Sequence, residues 1–513
     1  MRALLLVRFS SGNIKNNNWQ DSNGTWQVLM GDSGAYIDMG TSGDLILHAG
    51  SGIDVNTRGL TNLSVQSNSG NINIHNSVSG DMNIISANVS DVDGSNQLAI
   101  SGVEILAATD GDDIVLRNDA GDITFSADMS YIYAGGAGNE GFVRLNGVSG
   151  MTTNRSIVMT NSAPTDFIIN EAISGSAFWS HSISTQGVLD INNTITGGGI
   201  SLSAMAFDID ADIIHPGGGN KGALHFTQQG GLSLGIGSSA SASSILDDTS
   251  LSHIGDGWFN DLKFIARNII DIATASFSDN TVFQTTSNNA NIELSGDIST
   301  TDDGGFEFIN HGTGQTILGA DIDSSASSGN IVFTDNVKLV GNRQISTGTG
   351  GGDIAFTAAV TADAASQNLT LIAGTGDIVF NADLGSTTTR FADIAINSTH
   401  DVTVANDSSI FATNYTQSAG TGLTSFGAPA AGYGIDVTND LFVETESLTG
   451  KVHVGGSVKL NKNASLISLT GLVPSGDMDS STDFSWTDST DGVSTDTNFT
   501  FNSLVINSFV PPV

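Results

Sequence analysis

The sequence predicts an all-β chain folded as a parallel β-solenoid of about 23–24-residue coils with irregular loops. Three observations predict it. Gly329-Asn330-Ile331-Val332-Phe333, Gly352-Asp353-Ile354-Ala355-Phe356, Gly376-Asp377-Ile378-Val379-Phe380 and His400-Asp401-Val402-Thr403-Val404 recur with spacings of 23, 24 and 24 residues. Periods of that size mark one supersecondary unit stacked on the next. Within each unit apolar residues alternate: Ile378, Phe380 and Ala382 face one way, Val379 and Asn381 the other. That period of two belongs to a strand with one buried face. Finally, the chain holds 62 Gly, and 46 of its 53 acidic residues are Asp. Both are corner residues and poor helix formers.

A second strand keeps the same spacing, at Ile345, then Leu369 and Leu371, then Ile394 and Ile396. Each coil therefore holds at least two short strands joined by Gly/Asp/Ser/Thr corners. With coils stacked about 4.8 Å apart, Ile331, Ile354, Ile378 and Val402 form one internal ladder. Phe333, Phe356, Phe380 and Val404 form a second beside it. The coil length favours a right-handed β-helix over the left-handed hexapeptide type, whose coils take roughly 18 residues.

In chain order, residues 1–40 read as an N-terminal cap or junction carrying Trp19 and Trp26, since a solenoid end exposes an unpaired strand edge. Residues 41–475 read as the solenoid. Between 43 and 125 the Gly-Asp/Asn motif recurs at spacings that include ten residues (70 to 80, 111 to 121), which suggests successive strands of one coil. From 131 to 215 the strand-like runs lose a regular period, so coils of variable length are expected. Residues 247–256 are the candidate helical insertion: Asp247 or Asp248 caps it, Leu251 and Ile254 ride on it, and Gly255 and Gly257 end it. Residues 476–513, rich in Asp, Ser and Thr, read as a C-terminal cap or junction.

Sixteen basic against 53 acidic residues give a formal net charge of −37. That argues against nucleic acid as a partner, because phosphates are held by Lys and Arg. The absence of Cys excludes disulfides and thiolate metal sites. No apolar run approaches the 18 or so residues of a membrane span, so no membrane insertion is expected. The apolar run Ala3–Val7 is shorter than the roughly 7–15 residues of a secretory signal core; we read the chain as a piece of a longer one.

The most metal-like stretch is Asp91-Val92-Asp93-Gly94-Ser95-Asn96. Asp91, Asp93 and Asn96 offer the oxygen donors that Ca2+ takes, although the distal Glu of an EF-hand is missing. An Asp/Gly/Asn corner without an ion is the competing and better supported reading, and no other cofactor is indicated. Asn330, Asp353, Asp377 and Asp401 recur as a ladder, and we read them as structural corner residues whose side chains bond backbone groups; Asn serves that role as well as Asp. Asp208, Asp210 and Asp212 alternate, so on one strand they would share a face with His215 close by. This is the carboxylate cluster that best suits polysaccharide hydrolysis or elimination. The nine His are scattered, without a pair at metal-ligand spacing.

The runs 347–356, Asn368-Leu369-Thr370-Leu371, 374–381 and Tyr415-Thr416-Gln417-Ser418-Ala419-Gly420-Thr421-Gly422 resemble repeats of very large bacterial surface and secreted proteins. These are the filamentous-haemagglutinin-like and autotransporter-like adhesins, also called β-strand repeat proteins. The likeness covers residues 230–470 best. It implies export to the cell surface or the extracellular space and a role in adhesion, biofilm or surface coating. It transfers no functional residue, and the family's secretion domain, translocator barrel and wall anchor have no counterpart in the sequence. The expected function is a non-enzymatic structural or adhesive rod. Its expected partners are polysaccharide or cell-surface glycans, or other copies of itself, end to end or laterally. The alternatives are a self-assembling fibre or surface-layer subunit and a carbohydrate-active β-helix enzyme.

Overall fold

The computed structural model describes residues 187–456 except 216, 218–221, 255–258 and 303, with most of 37–108 and separate strand segments elsewhere. The described chain is nearly all β, its parallel strands stacked coil upon coil as a β-solenoid with one short helix. It divides into two units, Met1–Leu234 with Ser243–Ala266, and Gly235–Ala242 with Arg267–Val513.

In the second unit each regular coil carries three strands of about three residues. Ile331–Phe333, Val337–Leu339 and Arg343–Ser346 make one such coil. Each strand pairs in parallel with its counterpart in the next coil: Ile331 with Ile354, Val337 with Val360, Ile345 with Leu371. Sequence periodicity locates the first and third strands. The second lacks the Gly-Asp marker and is only three residues long, too short for its alternation of Val337 and Leu339 to stand out.

The core is a set of columns running from coil to coil. Ile331, Ile354, Ile378 and Val402 align in register, and so do Phe333, Phe356, Phe380 and Val404; each is at most 2% exposed. The phenylalanine column begins earlier, at Phe283 and Phe308. Successive ring centroids along Phe283, Phe308, Phe333, Phe356 and Phe380 are 5.5, 4.9, 5.0 and 5.3 Å apart, and the angle between ring planes falls from 23° to 2°. Aromatic pairs left alone prefer offset or edge-on geometry. Here the strand spacing of about 4.8 Å sets the separation, and the rings stack nearly parallel.

The first unit follows the same plan with uneven coils. One column runs Ile72, Ile114, Ile157, His181, Ile200, Leu224 and Leu262 in register, its members 19 to 43 residues apart, with Ile72, His181, Ile200, Leu224 and Leu262 buried. The longer coils accommodate antiparallel excursions, Ser86–Ser90 with Gln97–Ser101 and Met129–Tyr133 with Phe142–Arg144. Ile72 and Met82 lie on successive strands of one coil, as do Ile114 and Ile123, which accounts for the ten-residue spacing. Parallel pairing also reaches Ala3–Arg8 in this unit and, in the other, Phe499–Ile506.

The helical insertion is Asp248–Ser252, capped by the Asp247 carboxylate, which accepts from the Ser250 N–H at 2.8 Å. It is shorter than the 247–256 expected. Ile254 is not helical: it bridges in parallel to Ile213, so solenoid pairing takes the chain back after little more than one turn. Short helices gain little on their own, and the strand ladder wins.

His181 is the one polar member of its column, and it is 1% exposed. Its Nε2–H donates to the Thr196 carbonyl at 3.1 Å, while Nδ1 meets no hydrogen-bond partner among the described residues. Gly197 makes room for the ring, since a Cβ there would stand 2.6 Å from His181 Cδ2. Burial holds the imidazole neutral, its pKa pushed down to about 4.

Candidate functional site

The recurring corner acids of the second unit are bound to main chain. Asn330 Oδ1 accepts the Asp353 N–H at 2.8 Å, and Asp353 Oδ1 accepts the Asp377 N–H at 2.8 Å. Asp377 Oδ1 then accepts the Asp401 N–H at 3.1 Å, and Asp401 Oδ1 the Leu423 N–H at 2.6 Å. Each side chain thus reaches forward one coil and satisfies an amide left over at the corner, where strand pairing has stopped. Two further corners use the same device: Asp297 to Asp321 to Gln344, and Asn342 to Asn368 to Asp393. Sequence reading missed both, although the Asp and Asn residues repeat there at intervals of 23 to 26.

One corner carries an additional group. His400 takes the place that Gly329, Gly352 and Gly376 hold in the coils before it. Its Nδ1 lies 3.1 Å from Asp377 Oδ1 and 3.4 Å from Asp401 Oδ1. The three side chains are 51%, 45% and 34% exposed, so the cluster is open to solvent at its outer edge. The hydrogen bond to Asp377 and then the Asp401 charge raise the His400 pKa above its ordinary value, and Glu446 adds to the same field. Among the described residues this is the group whose imidazole and carboxylate donor atoms converge closely enough to hold a metal ion, each within 4.8 Å of the others. The scattered appearance of the His residues in sequence conceals this. Folding brings Asp377 alongside His400 across a 23-residue interval, and the visible signal is the replacement of a corner Gly by His.

The Asp208, Asp210, Asp212 run holds only in part: Asp208 and Asp210 alternate outward with buried Phe207 and Ile209, and Asp212 does not continue that face. The strand Ala206–Ile209 ends before Asp210, and the chain bends before Ile213–Ile214 begins, so Asp212 stands beyond a corner. Asp212 pairs instead with His253 Nδ1 at 2.8 Å. His215 is buried; its Nδ1 accepts the Gly217 N–H at 3.2 Å and its ring sits edge-on to Phe259. Asp208 pairs in register with Asp190. Burial first, then the charges of Asp210 and Asp247, raise the Asp208 pKa above the ordinary carboxylate value. Asp91, Asp93 and Asn96 lie outside the described residues.

No protein-family model, no curated protein and no solved structure matches this chain.

Proposed function

We propose that this chain is a non-catalytic structural and adhesive scaffold, displayed on or released from a bacterial surface, that holds polysaccharide or cell-surface glycans through many weak contacts. The observation that carries the reading is the fate of the recurring carboxylates. Asp353, Asp377 and Asp401 each spend an oxygen on a backbone amide of the next coil, so the acidity of the repeat serves to build the coil stack. What the stack then presents outward is rows of hydroxyls and amides at coil spacing. Gln344, Thr370 and, past the apolar Ala395, Thr416 form one row, and Ser276 and Ser299, 2.8 Å apart, begin another. Such rows match a polymer that repeats its own hydroxyls, and repetition turns modest contacts into useful retention. Display outside the cell rests on the resemblance of the repeats to surface adhesins.

The test is to incubate the purified chain with neutral and acidic polysaccharides, with and without Ca2+. Reducing ends and unsaturated products are followed, and retention on the immobilised polymers is measured. Retention without product is expected. Product formation that disappears in Asp208→Asn would overturn the reading in favour of a carbohydrate-active enzyme. Neither product nor retention would remove the adhesive half of it.

A further inference from the structure

We propose that Asp377, His400 and Asp401 form a binding site for a divalent cation of the class that takes mixed nitrogen and oxygen donors, with Zn2+ or Co2+ as representatives. The site goes beyond the scaffold reading and does not depend on it. The argument begins with why a histidine stands there at all. Glycine precedes the corner acid in neighbouring coils because a side chain has no space: a Cβ on Gly352 would meet Ser328 O at 2.4 Å, and one on Gly376 would meet Gly352 O at 2.1 Å. His400 departs from that pattern between Gly304 and Gly422, a run of coils in which glycine otherwise holds the place; beyond it Asp279 and Glu446 stand there. The corner ladder does not require it, since Asn330 binds the Asp353 amide and Asp353 the Asp377 amide with glycine in that place on both sides of each link.

What the imidazole gains is the company of two carboxylates. Donor atoms about 2.0–2.2 Å from a tetrahedral Zn2+ stand roughly 3.3–3.6 Å from one another. The 3.1 and 3.4 Å from His400 Nδ1 to Asp377 Oδ1 and Asp401 Oδ1 come close to that without rearrangement. Each carboxylate is steadied by a backbone amide on Oδ1, so its orientation is fixed before an ion arrives. The next coil keeps the place open. Gly422 follows in the same corner position, and a Cβ there would stand 2.1 Å from Asp401 Oδ1 and 3.1 Å from His400 Nε2. Three protein donors leave a tetrahedral ion one position for water or for a ligand oxygen.

The ladder itself supplies variants that separate ligation from folding. Asn330 carries out the corner bond with an amide, so Asp377→Asn and Asp401→Asn keep that bond and lose a charged donor; His400→Gly restores the residue of the neighbouring coils. Calorimetric titration of the full chain with Zn2+ in a non-chelating buffer at pH 7.5 is expected to show one saturable site. His400→Gly should abolish it, and each Asn variant should weaken it at least tenfold. Asp353→Asn, one coil away, should leave it unchanged, and the thermal transitions of all four variants without metal should match the parent. Saturable binding that survives in His400→Gly means an adventitious ion only and overturns the proposal. Absence of saturable binding in the parent, or tighter binding of Ca2+ than of Zn2+, overturns it as well.

Discussion

Acidification should loosen the first unit at His181, by an amount that the structure sets. Folded, the buried imidazole takes a proton only near pH 4; in the unfolded chain it does so near its ordinary value of 6.5. The unfolded chain therefore binds more protons in that interval. Stability is complete above about pH 6.5 and is lost progressively as pH falls toward 4. At about 1.36 kcal/mol per pKa unit, the loss attributable to this residue is about 2 kcal/mol by pH 5 and about 3 kcal/mol by pH 4. Its physical origin is a charged ring buried in a column beside Ile200, with the Thr196 carbonyl as the hydrogen-bond acceptor of its Nε2–H. Hydrogen exchange of the segment 180–204 in the parent and in His181→Leu reads this directly. After correction for intrinsic exchange, the parent should lose about 20-fold more protection than the variant between pH 7 and pH 5, the equivalent of about 2 kcal/mol. Equal losses in the two proteins would refute the assignment of the acid sensitivity to His181.

Three other outcomes follow from the second unit. Phe333→Ala opens a gap inside the stacked column and should cost about 3–5 kcal/mol; Phe333→Leu should cost less, both read from the urea midpoint of that unit. Asp353→Asn should leave stability within about 0.5 kcal/mol of the parent, whereas Asp353→Ala strands the Asp377 amide and should cost about 1 kcal/mol. Gly376→Ala brings a Cβ within 2.1 Å of the Gly352 carbonyl oxygen. It should cost about 2 kcal/mol or more, seen as lost exchange protection at Ile354 and Ile378.

The fold was legible wherever the sequence repeats itself. Ile331, Ile354, Ile378 and Val402 announce their column because each follows the same corner signal at nearly the same interval. The Val337–Leu339 face was not legible, since three residues are too few for alternation to register. The coils of the first unit were legible only as variable, because hairpins such as Ser86–Ser90 with Gln97–Ser101 break the interval without breaking the stack. Site reasoning from linear spacing misplaced Asp212 in the run Asp208, Asp210, Asp212. Alternation predicts a shared face only while the strand continues, and this one stops at Ile209. The same reasoning overlooked His400, whose partner Asp377 adjoins it only after a full coil has closed.

The sameness of the coils has a consequence for how this chain finds its structure. A nascent chain that set Ile331 and Phe333 against Ile378 and Phe380, looping out the coil between, would still match Ile to Ile, Phe to Phe and a corner amide to a corner acid. Slippage by a whole coil is therefore cheap locally, and the column alone cannot exclude it. The irregular features do. The change from three-residue strands to the eight-residue strands that begin at Phe391–Ser398, the polar Thr424 that follows Val402, and the helix of the first unit mark particular places in their stacks, and they tell the chain which turn it is on. By the same logic, duplication of one 24-residue coil between Phe356 and Phe380 would lengthen the stack without creating a new kind of contact. Growth by tandem copying is open to such a protein as long as its punctuation survives.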